Sequence, residues 1–180
     1  MSVLTRLESE RLYYVPMDMK FANEVYLGWL NDPEVNRYLE VPKQNFLDDL
    51  KKYVQSTIDA GILFWAILKK EGDKHIGNIK IDPINTKHGY GEYGILMGDR
   101  NEWGKGYAKE ASLAIIDFCF NTLALRKVNL GVIAKNEAAV KLYQNLNFVT
   151  EGVYKNHVVL ENGYSDVIRM AIFNKTVNYN

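Results

Sequence analysis

Apolar and polar positions along the chain follow two periods, and each change of period marks the edge of an element. The run RLYYV at 11–15 is dense in β-formers and predicts a first strand. Beyond Pro16 and Asp18 the period lengthens, and Phe21, Val25 and Trp29 share one helical face. NDPE at 31–34 opens a short helix, with Asp32 as cap and Pro33 in the first turn, where no N–H is needed. From about Asn45 another helix carries Phe46, Leu50, Tyr53, Val54 and Thr57 at three-to-four spacing, and Gly61 closes it.

Period-two patterning then returns. ILFWAILKK (62–70) and HIGNIKI (75–81) predict a hairpin joined through EGD, with Asp82-Pro83 ending its second strand. YGEYGILMG (90–98) predicts a strand with Glu92, Gly94 and Leu96 on one face and Tyr93, Ile95 and Met97 on the other. From about Gly106 to Asn121, Ala108, Ala111, Ile115 and Phe118 recur at helical spacing beside Cys119. KVNLGVI (127–133) reads as a strand, and Asn136 caps a helix that buries Ala139, Leu142, Tyr143 and Leu146. Two last strands flank ENG at 161–163. The order β-α-α-α-β-β-β-α-β-α-β-β predicts an α/β (α+β) fold with a mixed sheet of about seven strands, not a doubly wound alternation.

Composition narrows the function classes. At 180 residues, 47% of them hydrophobic, the chain is sized for one domain over 1–180 with its own core. Basic and acidic residues balance at 22 each, so no net field draws the chain to nucleic acid or to anionic membrane. The longest apolar run, 62–68, is too short to span a bilayer, and the first residues lack a signal-peptide core. The lone Cys119 cannot form an internal disulfide. A cytoplasmic protein without nucleic-acid or membrane partners is expected.

The chemistry concentrates at NEWGKGYAKEA (101–111), where Gly104 and Gly106 sit between a strand and a helix. Free N–H groups and the positive end of the helix dipole converge at such a turn and suit a phosphate. The dinucleotide fingerprint would need glycine at Lys109, and the phosphate-loop motif needs four residues between its glycines, so neither applies. Alone, the turn could equally serve close packing of helix on strand.

Its neighbours change that reading. WGKGYAKEA, preceded by EYGILMG and followed by NEAAVKLYQNLNF, resembles the acyl-CoA-binding core of the GNAT superfamily of N-acetyltransferases. The family's Gln/Arg-x-x-Gly-x-Gly/Ala aligns with Trp103-Gly104-Lys105-Gly106-Tyr107-Ala108, with Trp103 in the Gln/Arg place. Asn-x-x-Ala-x-x-x-Tyr aligns with Asn136, Ala139 and Tyr143, and Asn147-Phe148 takes the place of a Gly-Phe pair. The resemblance covers roughly 62–172, and ERL with WLNDPEV resembles the ribosomal-protein N-terminal acetyltransferase (RimJ/RimL-like) branch.

The resemblance implies a twisted, mainly antiparallel GNAT sheet with a splayed central strand pair. It also implies acetyl-CoA as cosubstrate, with no metal. The pyrophosphate would rest on backbone N–H groups from Trp103 through Gly104, Lys105, Gly106 and Tyr107 to Ala108. The pantetheine would lie along the strand carrying Leu96 and Met97, whose N–H groups could polarise the thioester, and Asn136 could add an amide contact. Glu92 is then the expected base, directly or through water, and Tyr143 the expected acid for the departing thiolate. Without the resemblance, Glu92 reads as an ion-paired strand carboxylate and Tyr143 as a core aromatic.

Other candidates are weaker. His75, His88 and His157 lack metal-ligand spacing, and Cys119 falls on an apolar stripe. Lys105, Lys109 and Lys141 could reach phosphates or simply face solvent. Trp29, Tyr38 and Tyr164 could line an acceptor pocket, with core packing the stronger reading for Trp29. The expected acceptor is a primary amine on a small amino compound or amino sugar. A protein N-terminus, as in a ribosomal-protein acetyltransferase, is the alternative, and a non-catalytic acetyl-CoA-binding regulatory module is the alternative of another class. Strand edges and a polar C-terminal tail leave room for a homodimer.

Overall fold

Strand β1 (Leu7–Glu8) is two residues long and precedes the first strand that periodicity finds. It pairs antiparallel with β2 (Leu12–Pro16), so among the described residues the sheet has eight strands where the pattern predicts about seven. Two residues cannot establish a period, which is why β1 is invisible in the pattern. The computed structural model describes residues 4–39 and 46–178. The remaining elements are α1 (Glu24–Asn31), α2 (Pro33–Asn36), α3 (Leu47–Asp59), β3 (Leu63–Lys69), β4 (His75–Asn85), β5 (Tyr90–Met97), α4 (Tyr107–Asn121), β6 (Lys127–Ile133), α5 (Glu137–Asn145), β7 (Val149–Leu160) and β8 (Gly163–Phe173). The strand order is β1-β2-β3-β4-β5-β6-β8-β7. β5 and β6 form a parallel pair within a mostly antiparallel sheet.

Several expectations need correction. Asp82-Pro83 does not end β4, which runs on to Asn85. Its ladder with β3 stops at Leu63 opposite Ile81, so on that side Pro83 has no partner from which to withhold an N–H. Phe21 lies in a one-turn 3-10 helix capped by Asp18, ahead of α1, and Val25 faces solvent. The buried face of α1 is Tyr26, Leu27, Trp29 and Leu30, and Asn23 is its cap. Asn45 lies outside the described residues. α3 begins at Leu47, and Phe46 is an exposed cap residue, not part of the buried stripe that Leu50, Val54 and Thr57 form. Gly61 closes that helix with φ +66°, as its position predicts.

The chain forms two compact units, one of 1–82 with 94–114 and one of 83–93 with 115–180. The first packs Met17, Phe21, Tyr26, Leu30, Leu50, Val54 and Phe64 into a continuous core, with Leu96 against it. In the second, β6 is set between β5 and β8 and buries Val128, Leu130 and Val132. Asn147 follows α5 with φ +66°, the left-handed cap that asparagine tolerates after glycine.

Candidate active site

The glycine turn follows the end of β5 and a one-turn 3-10 helix (Arg100–Glu102) in the first unit. Gly104 and Gly106 both take positive φ, +75° and +82°. A Cβ on Gly104 would meet nothing, and on Gly106 only Arg11 Nη2 at 3.6 Å. The glycines therefore serve the backbone path and not close packing of helix on strand. α4 begins at Tyr107, so the first N–H groups of its opening turn have no intrahelical partner. The Trp103 N–H is not among the free donors, because it bonds the Arg100 carbonyl at 3.2 Å. Trp103 instead braces the turn: its indole N–H donates to the Met97 carbonyl at 2.8 Å.

Three further groups hold this turn, and local sequence reading missed all of them. The Arg11 guanidinium donates to the Lys105 carbonyl at 3.1 Å and lies 4.4 Å from the centre of the Tyr107 ring. Glu110, on the first turn of α4, accepts from Ser9, from the Arg11 N–H and from Arg11 Nε, each at 2.7 Å. Burial opposes ionisation of Glu110, but those hydrogen bonds outweigh it and hold the carboxyl below its ordinary range. Glu102 is buried and takes Lys105 at 3.0 Å, Lys69 at 3.4 Å and Lys74 at 3.5 Å. The Lys105 hydrogen bond leads in keeping Glu102 ionised, so Lys105 is engaged with the protein itself. Lys109 and Lys141 are exposed.

Leu96 packs on the apolar core, and its carbonyl lies so close to Gly77 that a Cβ there would overlap it. Trp29 is buried against Gly98 and the ring of His75, 4.7 Å between centroids, which is the core-packing role expected of it. Tyr38 is half-buried and Tyr164 exposed.

In the second unit, Glu92 lies opposite Asn129 in the parallel ladder, whose pairs are Tyr90–Lys127, Gly91–Val128 and Glu92–Asn129. Its carboxylate receives a two-pronged hydrogen bond from Arg169, both prongs 2.8 Å, and a third from Asn129 Nδ2 at 3.2 Å. Neither partner was visible in the local pattern. Tyr143 is buried with Tyr93 edge-on at 6.0 Å and Phe148 tilted at 5.7 Å, and burial pushes its phenol up to about 12. Asn136 caps α5 by accepting from the Ala139 N–H at 3.2 Å. Cys119 is fully buried, and burial raises its thiol to about 12, which leaves it without thiolate character. Among the described residues no group of three or more His, Cys, Asp or Glu could hold a metal, and no helix is long and apolar enough to cross a membrane.

The family model for the acetyltransferase (GNAT) domain matches residues 11–149. The chain belongs to the GNAT acetyltransferase family. As a GNAT enzyme it takes its acetyl group from acetyl-CoA, and its mixed sheet with the β5–β6 parallel pair is the fold expected of it. An N-acetyltransferase of Bacillus licheniformis is 29% identical over 94% of this chain and 96% of its own length. The spermidine N(1)-acetyltransferase of Escherichia coli K12 is 30% identical over 79% of this chain and 76% of that protein. Among solved structures, the spermidine N-acetyltransferase of Vibrio cholerae in complex with CoA and spermine superposes with a TM-score of 0.81. It shares 24% identity and covers 92% of this chain and 96% of its own.

Proposed function

We propose that this GNAT domain, acting over 1–180 as one catalytic unit, acetylates a primary amine of a small amino compound. The carrying observation is the pair of positive-φ glycines ahead of α4, whose side of the turn is free of packing at Gly104. This is the backbone path that a pyrophosphate seat on Gly104 to Ala108 requires. The indole of Trp103 holds the turn to Met97, and Leu96 and Met97 are the residues assigned to the pantetheine and thioester. Relatives named as spermidine N(1)-acetyltransferases favour an aliphatic amine over an amino sugar or a protein N-terminus.

In the proposed reaction the neutral amine attacks the thioester carbonyl, the C–S bond breaks and the amine proton passes to Glu92, directly or through water. Tyr143 stays protonated throughout the neutral range, since burial holds it near 12. A thiol ordinarily titrates at about 8.5, well below this phenol, so full transfer from it is uphill. Its assistance is therefore a hydrogen bond to the departing sulfur. Asn136 is assigned to the pantetheine beside its capping bond to Ala139.

The test is CoA release with a panel of spermidine, putrescine, glucosamine and a peptide with a free N-terminal alanine. Turnover of the aliphatic amines, reduced about 100-fold by Glu92→Gln and about tenfold by Tyr143→Phe, is expected. Acetyl-CoA binding without turnover on any amine would make the chain a binding module instead.

A further inference from the structure

Gly131 is a glycine inside β6 that the proposed reaction leaves unexplained. Its backbone is not left-handed, so neither a turn nor a strained φ requires it, and glycine weakens a strand. A Cβ there would stand 2.8 Å from Arg169 Nη1 and 3.3 Å from Val167 Cγ1. Arg169 is the β8 residue opposite Gly131, and its guanidinium passes over that bare position to reach Glu92 on β5. Glu151 on β7 is bonded to Lys127 at 2.6 Å.

The geometry at Glu92 leaves little freedom. A carboxylate offers about four acceptor directions. Arg169 takes one on each oxygen, and Asn129 takes a second on Oε2. The direction left open is on Oε1, and the side chain remains 35% exposed, so that direction can be reached. Asn129 is itself buried, and its Oδ1 has no partner, so the amide's one bond is the Nδ2 donation to Glu92.

We infer that Arg169, seated over Gly131, is a positioning residue that holds the Glu92 carboxylate in one orientation, with Asn129 as a second clamp, so that one lone pair of Oε1 faces the proton given up by the acceptor amine. This rests on the reading of Glu92 as the base. The alternative is a structural tie between strands, which would affect stability and leave turnover per folded molecule unchanged.

A double-mutant cycle separates the two, using spermidine as acceptor, or the panel member that is turned over if spermidine is not. Arg169→Gln lowers kcat about tenfold or more with the KM for acetyl-CoA within about twofold, and Arg169→Lys restores part of it. Gly131→Ala keeps both charges and displaces chiefly the flexible end of Arg169, with Val167 Cγ1 at 3.3 Å giving way slightly. It lowers kcat in the same direction and keeps the test alive should Arg169→Gln not fold. In a Glu92→Gln background none of these changes costs more than about twofold further, because the residues act as one unit. Losses that multiply, or full kcat in folded Arg169→Gln and Gly131→Ala while Glu92→Gln is impaired, overturn the inference alone. Wild-type kcat in Glu92→Gln overturns the base reading and this inference with it.

Discussion

The indole of Trp29 occupies the space that a side chain at Gly98 would need. Gly98 follows β5 directly and bonds through its N–H to the Ile76 carbonyl at 2.9 Å, so its backbone cannot withdraw. Gly98→Ala must therefore push the ring out of a packed cluster of Phe21, Tyr26 and His75. A loss of about 1–3 kcal/mol in urea unfolding is expected, with a change in tryptophan fluorescence of the native state.

Gly104 and Gly106 predict a different outcome. A methyl group at Gly104 meets no atom, so Gly104→Ala costs backbone strain of about 1–2 kcal/mol and no packing. Relief of that strain distorts the turn, so calorimetry should show weaker acetyl-CoA binding in both alanine variants, while the kcat of the saturated enzyme changes little. Unchanged acetyl-CoA affinity in both would remove the turn from the cofactor site.

Arg11 ties β2 to the turn by donating to the Lys105 carbonyl and by pairing with Glu110. Arg11→Ala leaves Glu110 without one of its three donors, the charged Arg11 Nε, while the Ser9 hydroxyl and the main-chain N–H of residue 11 remain. Loss of one hydrogen bond to the turn is worth about 1 kcal/mol, so the KM for acetyl-CoA should rise about fivefold with kcat preserved. Arg11→Lys cannot reach Glu110 and the carbonyl together and should not restore it.

His75 links stability to pH. Burial lowers its pKa from 6.5, opposed by its hydrogen bond to Asn78 and by the Gly77 backbone. The unfolded chain thus binds a proton at a higher pH than the folded one. Stability from this group is complete above about 6.5 and falls as pH drops from there toward the lower folded value. Melting temperature should decline across that window in the wild type, and less steeply in His75→Gln. Equal slopes would show that His75 is not the titrating group.

Local signals made much of this molecule legible in its sequence. The positive φ at Gly61, Gly104, Gly106 and Asn147 follows from residue type next to a helix end, and β6 has the bounds that its pattern predicts. Misreadings came where the controlling partner lay elsewhere. Phe46 and Val25 fit a helical stripe yet face solvent. α3 starts only after Phe46, and Val25 sits in an α1 that begins anew after the separate 3-10 turn holding Phe21, so Phe21 and Val25 do not share one helical face. Pro83 punctuates a strand only if both neighbours are present, and β3 has already ended.

The sequence by itself determined the order of the elements from β2 onward and the glycine turn, because period, turn chemistry and helix caps act over a few residues, and its motifs at 103–108 and 136–148 pointed to the family. Only the tertiary structure decided the company that the reactive groups keep. Glu92 meets Asn129 from 37 residues away and Arg169 from 77, and Glu110 meets Arg11 across 99. Such partnerships depend on strand order and register, which bring distant charges to one face and which no local spacing encodes.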